Sequence, residues 1–470
     1  MPAAHRHETD ARAEPALTLD VARWAVSLRP SDLPPEVTHQ LRRILLDYLA
    51  ASISGSVTRS ARIVADYAKQ FGGPTEATTI GHRAATSTPL AAWANGTAAH
   101  ALDVDDGYTP GSLHPAAPTV PAVLALGERE EAAPDTLLLG LAVALEFTCR
   151  LAAAGHPATW RRGFHNTPLA GVMGGALGAA VILEADTDTA ASALGIAGSH
   201  AGGLFEFLGS GAEVKRLHAG KAARDAVIAA DLAARGLSGP PTVLEGPHGY
   251  LRAFAGDEYD SSLICDELGE RWVLLDTYFK PYPCCRHLHA PIDAILEMRD
   301  GLTLDDVEEV VVETHAVAAR HDLTDVRELL DAQMSLPYAA VLALEFGSVE
   351  LKHFAPEVRR TPRLRAACER IEVRQDPELD ARYPRERPAR VTIRRRDGKP
   401  LVREVAQPLG EPSRPLNDSA LTDKFLRLVQ PVAGEDRAQQ IAELAWAFND
   451  PEALMTALRF RALDHAPGTW

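Results

Sequence analysis

Residues 41–52, LRRILLDYLAAS, place Leu41, Ile44, Leu45, Tyr48 and Leu49 three and four residues apart, the spacing of one buried helix face. Ser31 followed by Pro34 and Pro35, with Glu36 in the first turn, marks the entrance to that helix. The same Ala- and Leu-rich texture extends from Leu17 to about Ala234, and Thr119–Glu128, Asp135–Ala154 and Leu169–Glu184 read as buried helices. Within the last of these, Gly171, Gly174, Gly175 and Gly178 sit at the small-residue spacing that lets two helices approach closely. No Lys-Ser or Lys-Thr follows, so a phosphate loop is a poor reading. Residues 1–15 read as a disordered, Ala- and charge-rich tail.

The texture changes after Gly239-Pro240-Pro241. Asp305–Thr314, Ile371–Arg374 and Ala389–Arg395 are β-branched, strand-like runs, and Asp397-Gly398 is a hairpin turn. Helical stretches fall between them at Leu288–Arg299 and Leu336–Glu345. Helical periodicity returns from Asn417 to Leu463. The expected fold is therefore mainly α. Residues 16–271 and 411–470 form a large all-helical domain, and residues 272–410 a smaller α+β domain.

The chain has 470 residues, 46% of them hydrophobic and 24% charged, a globular balance. Its 48 basic and 64 acidic side chains give a net charge of −16, which argues against a general nucleic-acid binder. Local basic clusters still allow an anionic small substrate. Five cysteines without a C-x-x-C pair do not form a secreted disulfide framework. The N-terminus lacks an apolar signal core, and apolar runs such as Leu137–Phe147 fall short of the roughly 20 residues that span a bilayer. A soluble cytoplasmic protein with no membrane partner is expected.

Three segments carry residues suited to chemistry. The first is NGTAAHALDVDD at residues 95–106, with His114-Pro115 beyond it. Asp103, Asp105 and Asp106 repel one another and persist only if solvated, paired with cations or protonated. They can form an Asp-rich turn, a catalytic loop sharing proton transfer with His114, or a divalent-cation site. The second segment is EVKRLHAGK at residues 213–221, where Lys215, Arg216, His218 and Lys221 open the helix Lys221–Ala234 and make an anion-binding corner or a solvated basic turn. Gly209-Ser210-Gly211 precedes it as a flexible stretch.

The third segment is YFKPYPCCRHLH at residues 278–289, approaching a helix that begins near Arg286. On a helix His287 and His289 point about 200° apart, a poor chelating pair. Cys284 and Cys285 read as packing residues ahead of nucleophiles, since nothing in the sequence marks a thiol-activating partner. His165 and Tyr338 are isolated candidates, and such residues are more often structural.

Taken together, NGTAAHALDVDD with HPAAP at 114–118, GFHNTPLAG at 163–171, EVKRLHAGKAARD at 213–225, KPYPCCRHLHAPIDA at 280–294 and SLPYAA at 335–340 resemble the successive signature segments of the MmgE/PrpD family. That family includes 2-methylcitrate dehydratase, cis-aconitate decarboxylase and iminodisuccinate epimerase. The resemblance runs from about Leu17 to Leu463. It implies a homodimer whose active site lies between a helical domain and an α+β lid, with no metal and no organic cofactor. It also implies site positions at Asp103, His114, His165, Lys215, Lys280 and Tyr338. Two departures from the decarboxylase branch stand out. Gly107 occupies the place of a Thr after the double Asp, and the loop to His114 is one residue longer.

The chemistry that follows is proton abstraction next to a carboxylate of a small di- or tricarboxylate. Lys215, Lys280, His218, Arg286 and His287 would hold carboxylate oxygens. His114, His165 or Asp103 would act as base, and Tyr338 or a protonated His as acid. A 2-methylcitrate dehydratase-like hydro-lyase is the first expectation, with an epimerase or isomerase and a cis-aconitate decarboxylase-like carboxy-lyase as alternatives. Further alternatives are a metal-dependent hydrolase using Asp103, Asp105, Asp106 and His114, and a non-catalytic carboxylate-binding protein.

Overall fold

The computed structural model describes residues 16–209 and 212–463. The expected tail at 1–15 and most of the Gly209-Ser210-Gly211 stretch lie outside the described residues. The fold is mainly α, with a smaller α+β unit built on a four-stranded sheet.

The Pro35–Gly55 helix contains the stretch that predicts it, and Leu41, Ile44, Leu45 and Leu49 are all buried. Its entrance differs from expectation. Asp32 accepts from the Arg29 amide and closes a separate turn at Pro30–Asp32, so Ser31 belongs to that turn and Pro34 caps the helix. The Asn166–Ile182 helix is buried along its whole length. A Cβ on Gly174 would lie 1.9 Å from Thr148 Oγ1, and one on Gly178 2.5 Å from Gly140 O, so these glycines let it pack directly on the Pro134–Gly155 helix. That partner helix corrects the expectation about bilayer length. Its 22 residues are long and apolar enough to cross a membrane, but nearly all of its apolar surface is covered inside the helical core.

A second close crossing positions the site. A Cβ on Gly96 would come within 2.9 Å of Gly220 Cα, so the Thr88–Ala99 and Val214–Ala234 helices touch backbone to backbone. The latter helix starts seven residues before the expected Lys221. Lys215, Arg216 and Leu217 are good helix formers, and the helix turns as soon as Glu213 supplies its first carbonyl acceptor, at 3.0 Å from the Arg216 amide.

Two short strands, β1 (Ala77–Thr79) and β2 (Ala84–Thr86), pair within the helical part and were not anticipated. The main sheet has β3 (Val307–Thr314), β4 (Ile371–Gln375), β5 (Ala389–Arg395) and β6 (Pro400–Val405) in the order β4-β3-β5-β6. β3 runs parallel to β4, and the other pairings are antiparallel. Val310, Val312, Val391 and Ile393 line the inner face, against the helices His289–Met298 and Leu336–Phe346. The last helices, Asp418–Ala433, Glu435–Ala447 and Pro451–Leu458, share one apolar core with Pro35–Gly55.

The chain passes between the two parts as paired segments. Gly107 and Tyr278 exchange two backbone hydrogen bonds, Gly107 N to Tyr278 O at 3.0 Å and Tyr278 N to Gly107 O at 2.8 Å. The Phe279 amide then donates to Gly410 O at 3.2 Å. This junction carries Lys280 to the Asp-rich loop.

Candidate active site

Asp103 follows the Thr88–Ala99 helix and adopts φ +57°, the left-handed region that Asp tolerates better than most residues. Its carboxylate takes different hydrogen-bond partners from those of Asp105 and Asp106. Lys215 Nζ donates to Asp103 Oδ1 at 2.6 Å. Lys280 Nζ lies 3.1 Å from Oδ2 and donates to the Asp103 carbonyl at 3.1 Å. Burial opposes ionisation of Asp103, but Lys215 and Lys280 outweigh it and hold the carboxyl well below its ordinary range. Burial pulls Lys280 down, and the Asp103 and Asp105 charges carry it above its ordinary value. Asp103 and Lys280 are therefore both charged, and a deprotonated Asp103 held this way makes a weak base.

The other two carboxylates go elsewhere. Asp105 Oδ2 lies 2.7 Å from His100 Nδ1 and 3.6 Å from His114 Nδ1. Burial raises the Asp105 carboxyl, but the His114 and His100 rings and Lys280 more than offset this, so it stays ionised. Asp106 is pushed well above its ordinary value by burial and by the nearby Asp47 and Asp105, which keeps it protonated. Its Oδ1 accepts from the Ala116 amide at 3.3 Å. With Asp103 on lysines, Asp105 on His100 and Asp106 on a helix start, the donors diverge. No group of three His, Cys, Asp or Glu side chains placed to hold a metal exists among the described residues. The metal-dependent hydrolase reading loses its ligand set for that geometric reason.

A row of imidazoles runs beside the clamp. His114 and His100 have ring centroids 5.1 Å apart, His100 stacks on His165 at 5.7 Å, and His165 follows His218 at 5.4 Å. His114 Nδ1 bonds the Asp106 carbonyl, and its pKa falls to about 3 through burial and the Lys280 and Lys215 charges, against Asp105. His165 and His218 join Nδ1 to Nδ1 at 3.1 Å, one donating and one accepting. Burial, with neighbouring cations, lowers His165 well below its ordinary value and His218 to about 4. At neutral pH these three rings are uncharged.

The structure thus brings Asp103, His114, His165, Lys215, Lys280 and His218 together. It does not bring Tyr338, Arg286 or His287 with them. The Tyr338 hydroxyl donates to His353 O at 2.8 Å inside the core of the α+β unit. Arg286 is used up structurally. It meets Glu411, Leu409 O, Pro408 O and His289 Nδ1, and lies 4.6 Å from the Tyr278 ring centroid. His287 stands in a separate ring cluster with His315, His321 and Tyr383.

The basic corner also disperses. Lys215 serves Asp103, Arg216 serves Glu213 at 3.0 Å, and Lys221 serves His200 O at 2.8 Å. Cys285 gains the partner that the sequence does not reveal, with His321 Nε2 3.8 Å from its sulfur. Sequence reasoning missed His100 as a site residue, although it stands three positions before Asp103. It also missed Gln333, which donates to Leu102 O at 2.6 Å and Pro283 O at 3.2 Å and ties lid to loop.

The space at the clamp is a slit of about 20 Å³, lined by His100, Asp103, Lys215, Arg216, Leu330 and Gln333. A larger cavity of about 180 Å³ lies behind Lys280, with Val104, Leu351, Arg427, Leu428 and Val432 in its walls. It shares Lys280 with the clamp, but neither Asp103 nor any histidine of the row lines it. Where the decarboxylase pattern has Thr, a Cβ on Gly107 would lie 2.2 Å from Tyr278 Cζ, so the Tyr278 ring takes the space of that side chain.

Residues 19–262 match the model of the MmgE/PrpD N-terminal domain, and residues 282–450 that of the MmgE/PrpD C-terminal domain. The chain is 26% identical to a cis-aconitate decarboxylase-like protein, oryM, of Aspergillus oryzae, over 92% of this chain and 94% of the relative. It is 25% identical to the cis-aconitate decarboxylase of Aspergillus terreus, over 93% and 94%. The human cis-aconitate decarboxylase is 26% identical over 90% of each chain. With both domain models matched in order across most of its length, the chain belongs to the MmgE/PrpD family.

Proposed function

We propose that this protein is a lyase that generates a carbanion next to a carboxylate of a small di- or tricarboxylate, with a 2-methylcitrate dehydratase-like hydro-lyase as the first reading. A lyase is supported at the level of the family by the decarboxylases it resembles. The observation that carries the reading is the buried clamp of Lys215 and Lys280 on Asp103 beside uncharged imidazoles. A carbanion α to a carboxylate spreads its charge onto the carboxylate oxygens. Ammonium groups fixed at that point favour the transition state over the ground state. Neutral imidazoles beside them can accept or relay the proton.

The slit holds about one water molecule, so a tricarboxylate enters only when Leu330 and Gln333 of the lid part from Lys215. Lys215, with its side chain 12% exposed, is the clamp member closer to solvent and exchanges Asp103 for a substrate carboxylate more readily than Lys280. A cis-aconitate decarboxylase-like carboxy-lyase is the second reading, favoured by the names of the relatives. Gly107 with Tyr278 at the expected Thr position argues for a different substrate fit. The homodimer that the family resemblance implies belongs to this proposal as well.

The test is NMR in D₂O with 2-methylcitrate, citrate, cis-aconitate and iminodisuccinate. Dehydration of a hydroxy acid supports the first reading, CO₂ loss the second, and label incorporation with inversion an epimerase. No turnover and no label uptake on any of the four would overturn the proposal, as would unchanged turnover in Lys215→Met.

A further inference from the structure

His100 has the geometry of a working acid–base residue. Asp105 is ionised and can only accept, so the 2.7 Å contact fixes the proton of His100 on Nδ1. Nε2 is then the basic nitrogen. It is fully buried, has no hydrogen-bond partner among the described residues, and belongs to a ring that lines the slit shared with Asp103 and Lys215. A buried acceptor left without a donor is costly unless a ligand completes it. The other rings of the row are differently engaged. His114 leans on a neutral carbonyl, with Asp105 3.6 Å away, and His165 and His218 spend a nitrogen each on one another.

We propose that His100 Nε2 is the atom that exchanges the proton with the substrate carbon, and that Asp105 is its positioning residue. This rests on the reaction class proposed above. In a dehydration, the C–H proton passes to Nε2 and the electron pair stays on carbon, delocalised into the carboxylate held by Lys215. The imidazolium keeps Nδ1–H on Asp105, which stabilises the new charge. The same proton then leaves with the β-hydroxyl as water, the C–O pair departs with oxygen, the carbanion pair forms the double bond, and His100 returns neutral. In a decarboxylation the nitrogen works in reverse. Protonated beforehand from solvent, it delivers its proton to the carbon whose bonding pair was left by CO₂.

The experiment compares His100→Gln, Asp105→Asn and His114→Gln with the wild type on the four polycarboxylates above, by turnover and by deuterium uptake. His100→Gln lowers kcat by about 10²–10⁴-fold, the usual share of a general acid–base group, with KM changed less than about threefold. Asp105→Asn lowers kcat in the same way and raises the primary isotope effect on a C-deuterated substrate, which a merely structural role would not do. His114→Gln loses far less. Should His100→Gln fold poorly, Asp105→Asn and selective ¹⁵N-histidine NMR of the wild type decide: a second ring locked with its proton on Nε2 at position 100 overturns the inference. So does near-wild-type turnover in Asp105→Asn, or a loss confined to His114→Gln. If the wild type neither turns over nor labels any probe, the proposed function fails and the inference falls with it. Turnover that survives at position 100 removes His100 alone.

Discussion

Replacing Lys280 by Met keeps the length of the side chain and removes the charge from the inner end of the clamp. Lys280 is buried, and its ammonium faces both Asp103 Oδ2 and the Asp103 carbonyl, each at 3.1 Å. Breaking a buried ion pair from one side costs about 3–5 kcal/mol. Lys215 remains on Oδ1, so the lower end, about 3 kcal/mol, is expected. With an unfolding entropy near 2.1 cal/mol/K per residue, a protein of 470 residues loses about 1 °C of Tm per kcal/mol, which gives a fall of about 3 °C. Asp103→Asn costs at least as much, because two ammoniums then lose their counter-charge. The double variant is less damaged than the sum, by about 2 kcal/mol, as expected for side chains in direct contact.

The acid side gives an independent check. The folded pKa of Asp103 is depressed, so its stabilising contribution is present above the unfolded value near 3.9. It is lost as pH falls through the folded value below that. In Lys280→Met the folded value moves back toward ordinary, so the acid-dependent loss owed to Asp103 becomes smaller and is complete at a higher pH. Calorimetry between pH 3 and 7 reads both effects, and kcat/KM falls about 10²–10³-fold alongside. Additivity of the two substitutions within 0.5 kcal/mol, with unchanged acid behaviour, would refute the clamp.

Gly107→Thr forces its Cβ into the Tyr278 ring and destabilises the protein by about 1–3 kcal/mol, whereas in a Tyr278→Ala background the same change costs little; equal cost in both backgrounds in chemical unfolding would show that the ring is not the obstacle. Arg286→Lys lowers Tm, because an ammonium cannot reproduce the fork shared by Glu411, Leu409 O and Pro408 O, but leaves KM for the substrate within about twofold; a tenfold rise in KM at unchanged Tm would return Arg286 to the substrate. Iodoacetamide at pH 7.5 labels Cys285 first. Burial raises its thiol, but the His321 charge and hydrogen bond bring it below its ordinary value, while burial lifts Cys265 to about 11 and Cys368 to about 12; mass spectrometry showing uniform labelling, or no slowing in His321→Ala, would contradict this.

What the sequence allowed to be read, and what it did not, divides along one physical line. Periodicity reports burial, so the Pro35–Gly55 helix, the glycine-lined Asn166–Ile182 helix and the inner face of β3 and β5 were legible from their own residues. Lys215 and Lys280 stand 65 positions apart, and their meeting on Asp103 depends on the Gly96–Gly220 crossing and the Gly107–Tyr278 pairing, neither of which has a local signature. Only the family resemblance linked them beforehand. Arg286 and Tyr338 show how a motif residue can take a structural partner. A charged or phenolic side chain in a family motif advertises chemistry, yet the lid consumes one as a buried fork and the other as a core hydrogen bond.

The Asp-rich segment shows why composition alone misleads. Three carboxylates within four residues look like one cluster, but a single left-handed turn at Asp103 sends the first to the lysines and leaves the second to His100 and the third protonated. A metal site needs carboxylates that converge. This segment spreads them over three different partners, and that divergence lets one short stretch supply a counter-ion for two lysines, an anchor for a histidine and a neutral helix cap. The assignment of roles is therefore written in one backbone angle. Asp103→Gly leaves that turn free to form while deleting the carboxylate, and separates the conformation from the charge: it should release Lys215 and Lys280 yet leave the His100–Asp105 contact in place, seen as an unchanged Nδ1–H resonance of His100. Loss of that resonance would mean that the clamp, and not the turn, holds the loop.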